Sequence, residues 1–142
     1  MSTSAAKILD FIAAYPEPGF VGELRAMGFR VMPLPAGKKK PPPTGYPTNG
    51  ADYLVPKGRN VAIDTEHFWD GGALLVLDID VKDGKRGDES LRKLEKTHGA
   101  LPATLTTITP TGGKHLFFRV KKAVASSVGR DEDSRLGKGI DV

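Results

Sequence analysis

A continuous apolar run that ends in two aspartates is the feature that most limits how this chain can fold. Residues 73–77 read Ala-Leu-Leu-Val-Leu and lead directly into Asp78, Ile79 and Asp80. A short run without a polar member is typical of a strand that is buried on both faces. Because side chains alternate along a strand, we expect Asp78 and Asp80 to share one face while Ile79 points into the core.

The acidic pair at the end of this run predicts a metal site. An ionised carboxylate beside a buried strand costs free energy unless it is paired or bound to a cation. Two adjacent carboxylates also supply the hard oxygen ligands that Mg²⁺ and Mn²⁺ prefer. For this motif alone, the alternative is a strand that simply ends in a polar turn.

The rest of the chain predicts alternating helices and strands. We expect helices at residues 4–15, at 20–27 with Gly28 as a left-handed cap, and at 89–98 with Asp88 as the N-cap. The expected strands are residues 29–34, 61–63, 103–109 and 114–120, with a short one near the end at 137–142. Residues 35–60 form a long segment rich in Pro, Gly and Lys, which favours a functional or mobile loop.

A tight turn with two glycines is expected between the strands at 103–109 and 114–120. It contains Thr111, Gly112 and Gly113 and is followed by Lys114 and His115. Paired glycines favour backbone amides that are open to an anion, and both following side chains are then expected within reach of a phosphate. The alternatives are an ordinary hairpin turn and a structural histidine.

The charge distribution favours a polyanionic partner. The whole chain has a net charge of +4, whereas residues 22–60 hold seven Lys and Arg side chains against two acidic ones, a net charge of +5. Such a segment is either a phosphate-facing surface or a solvated loop.

Length and composition bound the remaining possibilities. The 142 residues predict one domain with a modest core. With no cysteine, the chain has neither a disulfide framework nor a thiolate zinc site. No apolar run reaches the roughly 18 residues that would cross a bilayer, so we expect no membrane partner.

The order of these motifs resembles the primase-polymerase domain of the archaeo-eukaryotic primase superfamily, which begins many phage and plasmid replication proteins. Its three motifs are matched by residues 75–80 (Leu-Val-Leu-Asp-Ile-Asp), 111–115 (Thr-Gly-Gly-Lys-His) and 139–141 (Gly-Ile-Asp). Residues 37–41 and 60–63 resemble two lesser family segments. The resemblance spans about residues 20–142 and depends on the joint spacing of the motifs.

The resemblance implies metal-dependent nucleotidyl transfer, that is, primer synthesis or DNA polymerisation on a single-stranded template. It implies that Asp78, Asp80 and Asp141 hold two Mg²⁺ or Mn²⁺ ions and that His115 is a further catalytic residue. The implied binding set for a dNTP or NTP is Thr111, Gly112, Gly113, Lys114, His115, Asn60 and Arg59. The implied contacts to DNA phosphates are Lys38, Lys39 and Lys40.

The resemblance also implies the fold and the partners. We expect an α+β domain over residues 1–142, with an RRM-like antiparallel sheet and flanking helices. A helical part would span about 1–60 and the motif-bearing sheet about 61–142. Family domains continue past the third motif, so we expect the completing C-terminal strands to be absent. The implied partners are single-stranded template or primer DNA and a helicase domain or companion chain, in the cytoplasm of a bacterial host.

Two functions from other classes stay open at this point. One is a non-catalytic module that keeps the fold and binds nucleic acid or nucleotide. The other is a haloacid-dehalogenase-type phosphatase, whose nucleophile strand resembles residues 74–80. In those enzymes the motif lies near the N-terminus and continues with Gly-Thr-type residues, whereas Val81 and Lys82 follow here.

Overall fold

The computed structural model describes residues 17–44, 53–68 and 71–142. These residues form two helices and six strands in two antiparallel sheets, which confirms the α+β class. The chain divides into two compact units between Gly71 and Gly72. The helix expected at residues 4–15 lies outside the described residues. Within the described ranges, no helix has the length and apolar character needed to span a membrane.

The first unit contains one helix and a two-stranded sheet. Helix α1 (Gly19–Ala26) leads into strand β1 (Phe29–Leu34), which pairs antiparallel with strand β2 (Asn60–Phe68). Gly28 joins the helix to the strand with a φ of +94°, a conformation that glycine adopts at no steric cost, as predicted for a left-handed cap. Strand β1 covers the residues that the sequence predicted.

The core of the first unit is held by apolar packing and by ionic contacts that include a network around Glu17. Val21, Val31 and Val55 are fully buried. Glu17 forms an ion pair with Arg25, and its Oε1 accepts a hydrogen bond of 2.7 Å from the backbone N–H of Val55. Helix α1 is thereby tied to the chain that returns towards β2.

The boundary between the two parts differs from the expected one near residue 60. Strand β2 was expected in the motif-bearing sheet, but it pairs with β1 and therefore belongs to the first unit. It is also longer than the predicted 61–63: residues 60–63 pair with β1 and, beyond an irregularity in the register, Phe68 pairs with Phe29.

The second unit is a four-stranded antiparallel sheet with one helix. Its strands are β3 (Ala73–Ile79), β4 (Leu105–Ile108), β5 (Lys114–Val120) and β6 (Ile140–Asp141). Their order across the sheet is β4-β5-β3-β6. Strand β3, the predicted apolar run, pairs with β5 along its whole length and with β6 at Asp78 and Ile79.

Helix α2 (Gly87–His98) covers one face of this sheet. The buried residues Leu77, Ile79 and Ile140 pack there against Leu91 and Leu94 of the helix. Burying an aliphatic side chain of this size stabilises a fold by about 1.5–3 kcal/mol.

The start of α2 corrects the predicted N-cap. The cap position is Arg86, which makes no side-chain capping bond, and Asp88 lies inside the first turn. There Asp88 accepts a hydrogen bond of 3.0 Å from Arg92, one turn further along the helix. A carboxylate in the first turn still interacts favourably with the helix dipole.

Candidate active site

A row of polar residues crosses the face of the second sheet that is opposite to α2. Asp78 on β3 pairs with His115 on β5 and with Asp141 on β6, and His115 pairs in turn with Thr107 on β4. Directly opposed residues in an antiparallel sheet have side chains on the same face. The structure therefore brings the three predicted residues Asp78, His115 and Asp141 into one line.

Asp78 lies at the centre of this row. Its Oδ1 is 3.5 Å from Nε2 of His115, and both side chains are about two-fifths exposed to solvent. The ring of Phe117 meets that of His115 edge to face at a centroid distance of 6.3 Å, which fixes the orientation of the imidazole. Ile79, as predicted, points to the other face, where it is 2 % exposed.

Asp80 is held in place by its backbone. Its N–H donates to the carbonyl of Gly139 at 2.8 Å, and its own carbonyl accepts from the N–H of Gly87 at 2.9 Å. The contacts are close enough that a Cβ on Gly87 would lie 2.3 Å from the carbonyl oxygen of Gly139. The end of β3, the approach to β6 and the start of α2 are thus fixed to one another.

The side chain of Asp80 is paired with a lysine that the sequence motifs do not include. Oδ2 of Asp80 accepts a hydrogen bond of 2.8 Å from Nζ of Lys85. This hydrogen bond and the positive charge of Lys85 lower the pKa of Asp80. The same hydrogen bond raises the pKa of Lys85, with further contributions from the charges of Asp80, Asp141 and Asp78. The ammonium group therefore lies within the field of all three carboxylates.

Asp141 is positioned by a segment for which the sequence suggested no role. Its Oδ1 accepts a hydrogen bond of 2.8 Å from the N–H of Gly129. Ser127 and Val142 exchange two backbone hydrogen bonds, of 2.9 and 3.2 Å, and Gly139 donates to the carbonyl of Gly129 at 2.8 Å. Residues 127–129 therefore flank β6 and fix its carboxylate, as supporting contacts do for metal-ligating carboxylates.

The glycine turn between β4 and β5 has a structural reason for its composition. A Cβ on Gly113 would lie 2.5 Å from the carbonyl oxygen of Ile79, so the turn can approach β3 only without a side chain there. The N–H of Gly112 donates to the carbonyl of Thr109 at 3.0 Å, and the hydroxyl of Thr111 lies 3.2 Å from that of Thr109. Contrary to expectation, the amide of Gly112 is therefore not open to a phosphate in this arrangement.

Lys114 and His115 point to opposite faces of the second sheet, because they are neighbours in β5 and side chains alternate along a strand. His115 is on the face of Asp78, whereas Lys114 lines a cleft of about 290 Å³ beside α2, together with Asp88 and Arg92. This corrects the expectation that both reach one phosphate.

The remaining predicted residues belong to the first unit. Lys38, Lys39 and Lys40 are exposed. The side-chain amide of Asn60 donates to the carbonyl of Lys38 at 2.9 Å, so it fixes the basic segment. Arg59 lines a groove of about 380 Å³ with the three successive prolines at 41–43.

The carboxylates fit a hard divalent cation in their donor chemistry but do not yet converge on one. Asp78, Asp80 and Asp141 offer oxygen ligands of the kind that Mg²⁺ and Mn²⁺ prefer, and Asp80 already pairs with a cationic group, the ammonium of Lys85, at 2.8 Å. Within residues 17–44, 53–68 and 71–142, no three His, Asp or Glu side chains are close enough to share an ion as they stand. Each of the three carboxylates instead has a partner within the protein.

Fold and site together define an α+β protein in which Asp78, His115 and Asp141 form a row on the face of the second sheet that is opposite to α2. The family model described as "Bifunctional DNA primase/polymerase, N-terminal" matches residues 23–142. This match covers most of the chain and includes all three motifs, so the protein belongs to the bifunctional DNA primase/polymerase N-terminal family. No curated protein and no solved structure gives a significant match to the chain.

Proposed function

We propose that this domain catalyses metal-dependent nucleotidyl transfer in DNA replication, by synthesis of primers or by polymerisation on a single-stranded template. Membership of the primase/polymerase family supports the class of activity. The observation that carries the finer proposal is the pairing of Asp78 with Asp141 across β3 and β6, with Asp80 at the end of the same strand. Three carboxylates at one end of a sheet destabilise the fold, since like charges on opposed strands repel. Their presence is better explained by the binding of divalent cations.

Asp78, Asp80 and Asp141 would hold Mg²⁺ or Mn²⁺ in this proposal. Bound divalent ions would supply charge neutralisation at the reacting phosphate and activation of the primer hydroxyl. The three carboxylates are oriented by the pairing of β3 with β6, by the bond from the Asp80 N–H to the carbonyl of Gly139, and by the bond from the Gly129 N–H to Oδ1 of Asp141.

His115 is proposed to bind the phosphates of the incoming dNTP or NTP. It projects from the same sheet face as Asp78 and is about two-fifths exposed, so a ligand can reach its ring. A triphosphate that contacts His115 is thereby placed beside the acidic row. Arg59, Asn60 and the lysines at 38–40 would bind further phosphates of nucleotide or template, because the lysines lie in a stretch of sequence without a carboxylate from residue 24 to residue 44.

The strand order supports an RRM-like sheet of the archaeo-eukaryotic primase type. Strand β3 is followed by α2 and then by the β4-β5 hairpin, and β3 lies between β5 and β6. A four-stranded antiparallel sheet with one open face is a common platform for nucleic-acid ligands. The open face here is the one that carries Asp78 and His115.

A primer-extension assay tests this proposal. The protein is incubated with a primed single-stranded template, labelled dNTP and Mn²⁺, and the variants are Asp78→Asn and Asp141→Asn. Asparagine keeps the size of the side chain, and its amide oxygen can still accept the Gly129 N–H in the Asp141→Asn variant, so loss of activity would report on charge rather than on folding. We expect extension by the wild type and a loss of at least about a hundredfold in each variant. If the protein retained DNA without extending the primer, the result would support a non-catalytic module. If it released phosphate without extending the primer, the result would support a phosphatase.

A further inference from the structure

The ammonium of Lys85 is in direct contact with one of the three carboxylates. Its Nζ donates to Oδ2 of Asp80 at 2.8 Å. The side chain of Asp80 is only 16 % exposed, so it is much more enclosed than that of Asp78. An enclosed carboxylate requires a counter-charge more strongly than an exposed one does.

We propose that Lys85 is a built-in counter-ion of the acidic site that leaves Asp80 when a divalent cation binds, and that it thereby lowers the affinity of the site for that cation. The inference rests on the proposed function, since it takes Asp78, Asp80 and Asp141 as the ligands. It assigns a role to a residue outside the three sequence motifs.

The position of Lys85 in the chain allows such an exchange. Lys85 lies in the connection between β3 and α2, and its N–H donates to the carbonyl of Lys82 at 2.9 Å in a tight turn. The backbone around it is therefore fixed, while its side chain is 32 % exposed and has an open path to solvent. A lysine side chain is long and rotates readily, so it can leave without movement of β3 or α2.

The partners of the other two carboxylates do not oppose a cation in this way. Asp141 accepts from a backbone N–H, and Asp78 is 3.5 Å from the imidazole of His115. A backbone amide carries no net charge, so a ligated Asp141 can keep this bond and offer its remaining lone pairs to the ion. Among these partners, the ammonium of Lys85 donates directly to a proposed ligand at 2.8 Å, so a divalent cation at Asp80 competes with it.

The ion pair with Lys85 engages Oδ2 of Asp80 as the protein stands. In the absence of a divalent cation this pairing reduces the repulsion among the three carboxylates. In its presence, part of the binding free energy is used to break the ion pair.

Binding of Mn²⁺ to the protein, measured from the free-ion signal in electron paramagnetic resonance, tests the proposal without any catalytic readout. The variants are Lys85→Met, which removes the charge, and Lys82→Met as the matched control. Lys82 also influences Asp80, but through its charge and its backbone rather than through a side-chain contact. We expect Lys85→Met to bind Mn²⁺ roughly three- to tenfold more tightly than the wild type, and Lys82→Met to change the affinity by less than about twofold.

A second pair of measurements covers the case in which Lys85→Met is poorly folded. Lys85→Arg keeps the charge and should bind Mn²⁺ no more tightly than the wild type. The melting temperature should rise more on addition of Mn²⁺ in Lys85→Met than in the wild type, because the metal-free variant lacks the counter-ion. The proposal would be overturned if Lys85→Met and the wild type bound Mn²⁺ with equal affinity. It would also be overturned if Lys85→Met and Lys82→Met gained equally in affinity for Mn²⁺.

Asp78→Asn separates this inference from the proposed function. If the wild type binds Mn²⁺, Asp78→Asn does not, and Lys85→Met binds like the wild type, the metal site stands and the counter-ion role fails. If neither the wild type nor Lys85→Met binds Mn²⁺, the metal site and the role of Lys85 both fail.

Discussion

Asp78 and Asp141 are direct cross-strand partners in the second sheet, although they lie in the first and third motifs of the sequence. Their pairing joins β3 to a strand of only two residues, and the Gly129 N–H holds Asp141 from the other side. The third motif therefore depends on residues 127–129, which contribute no side-chain chemistry of their own to the acidic row.

Gly129→Ala should disturb the support of Asp141. A Cβ on Gly129 would lie 2.6 Å from the carbonyl oxygens of Gly137 and Ile140, so the backbone must shift. We expect a loss of stability of about 1–3 kcal/mol and a marked loss of primer extension, measured by chemical denaturation and by the extension assay. Gly22→Ala is the control, since nothing lies within 4 Å of that position in α1 and alanine favours a helix. Equal stability of the two variants would show that Gly129 is not required.

His115→Ala should weaken nucleotide binding more than template binding. The imidazole lies beside Asp78 on the open sheet face and is about two-fifths exposed, so the core does not depend on it. We expect the Kd for dNTP to rise about tenfold while the Kd for single-stranded DNA changes by less than about twofold, in fluorescence titrations at one salt concentration. His98→Ala, at the exposed end of α2, removes the same group elsewhere and should leave both constants unchanged. Equal losses for the two ligands would assign His115 a structural role.

Replacement of Lys38, Lys39 and Lys40 by alanine should reduce the salt dependence of DNA binding. Each lysine that neutralises a phosphate contributes about 0.7 to the slope of log K against log salt for single strands. We expect the slope to become shallower by up to ~2, measured by fluorescence anisotropy between low and moderate salt. Replacement of Lys93, Lys96 and Lys122 by alanine serves as the control, because it changes the net charge by the same amount. An unchanged slope in the first variant would show that residues 38–40 are a solvated loop.

Glu17→Gln should destabilise the first unit in a manner that depends on pH. The hydrogen bond from Arg25 lowers the pKa of Glu17 below its ordinary 4.5, with help from the Val55 N–H and against the opposing effect of burial. A carboxyl group with a lowered pKa in the folded state stabilises the fold above its unfolded pKa, and this stabilisation is lost as the pH falls through the folded value.

The wild type should therefore exceed Glu17→Gln in unfolding free energy by about 1–2 kcal/mol at pH 7, and the difference should shrink below about pH 4.5. Denaturant unfolding followed by circular dichroism at several pH values measures it. The other carboxyl groups titrate in both proteins, so their effects cancel in the difference. A difference that stays constant from pH 7 to about pH 3 would contradict the ionic origin.

Local patterns in the sequence were sufficient for most of the secondary structure. The apolar run at residues 73–77 predicted a strand, and β3 covers it, with Leu77 buried against α2 but Leu75 and Val76 only half-buried. Alternation along that strand also placed Ile79 in the core and the carboxylates outside it. The same alternation applies to Lys114 and His115, and it predicts that their side chains lie on opposite faces of the sheet, as the structure shows.

Contacts between distant residues decided what the sequence did not. The pairing of β2 with β1 places β2 in the first unit, because the local pattern of a strand does not determine which strand it pairs with. Lys85 and Gly129 carried no motif signal, since a lysine in a turn and a glycine in a loop are common in any chain. Only the three-dimensional arrangement brings the Lys85 ammonium to Asp80 and the Gly129 amide to Asp141. The sequence thus determined which residues form the acidic site, whereas tertiary structure determined how their charges are balanced, because electrostatic interactions depend on distance in space.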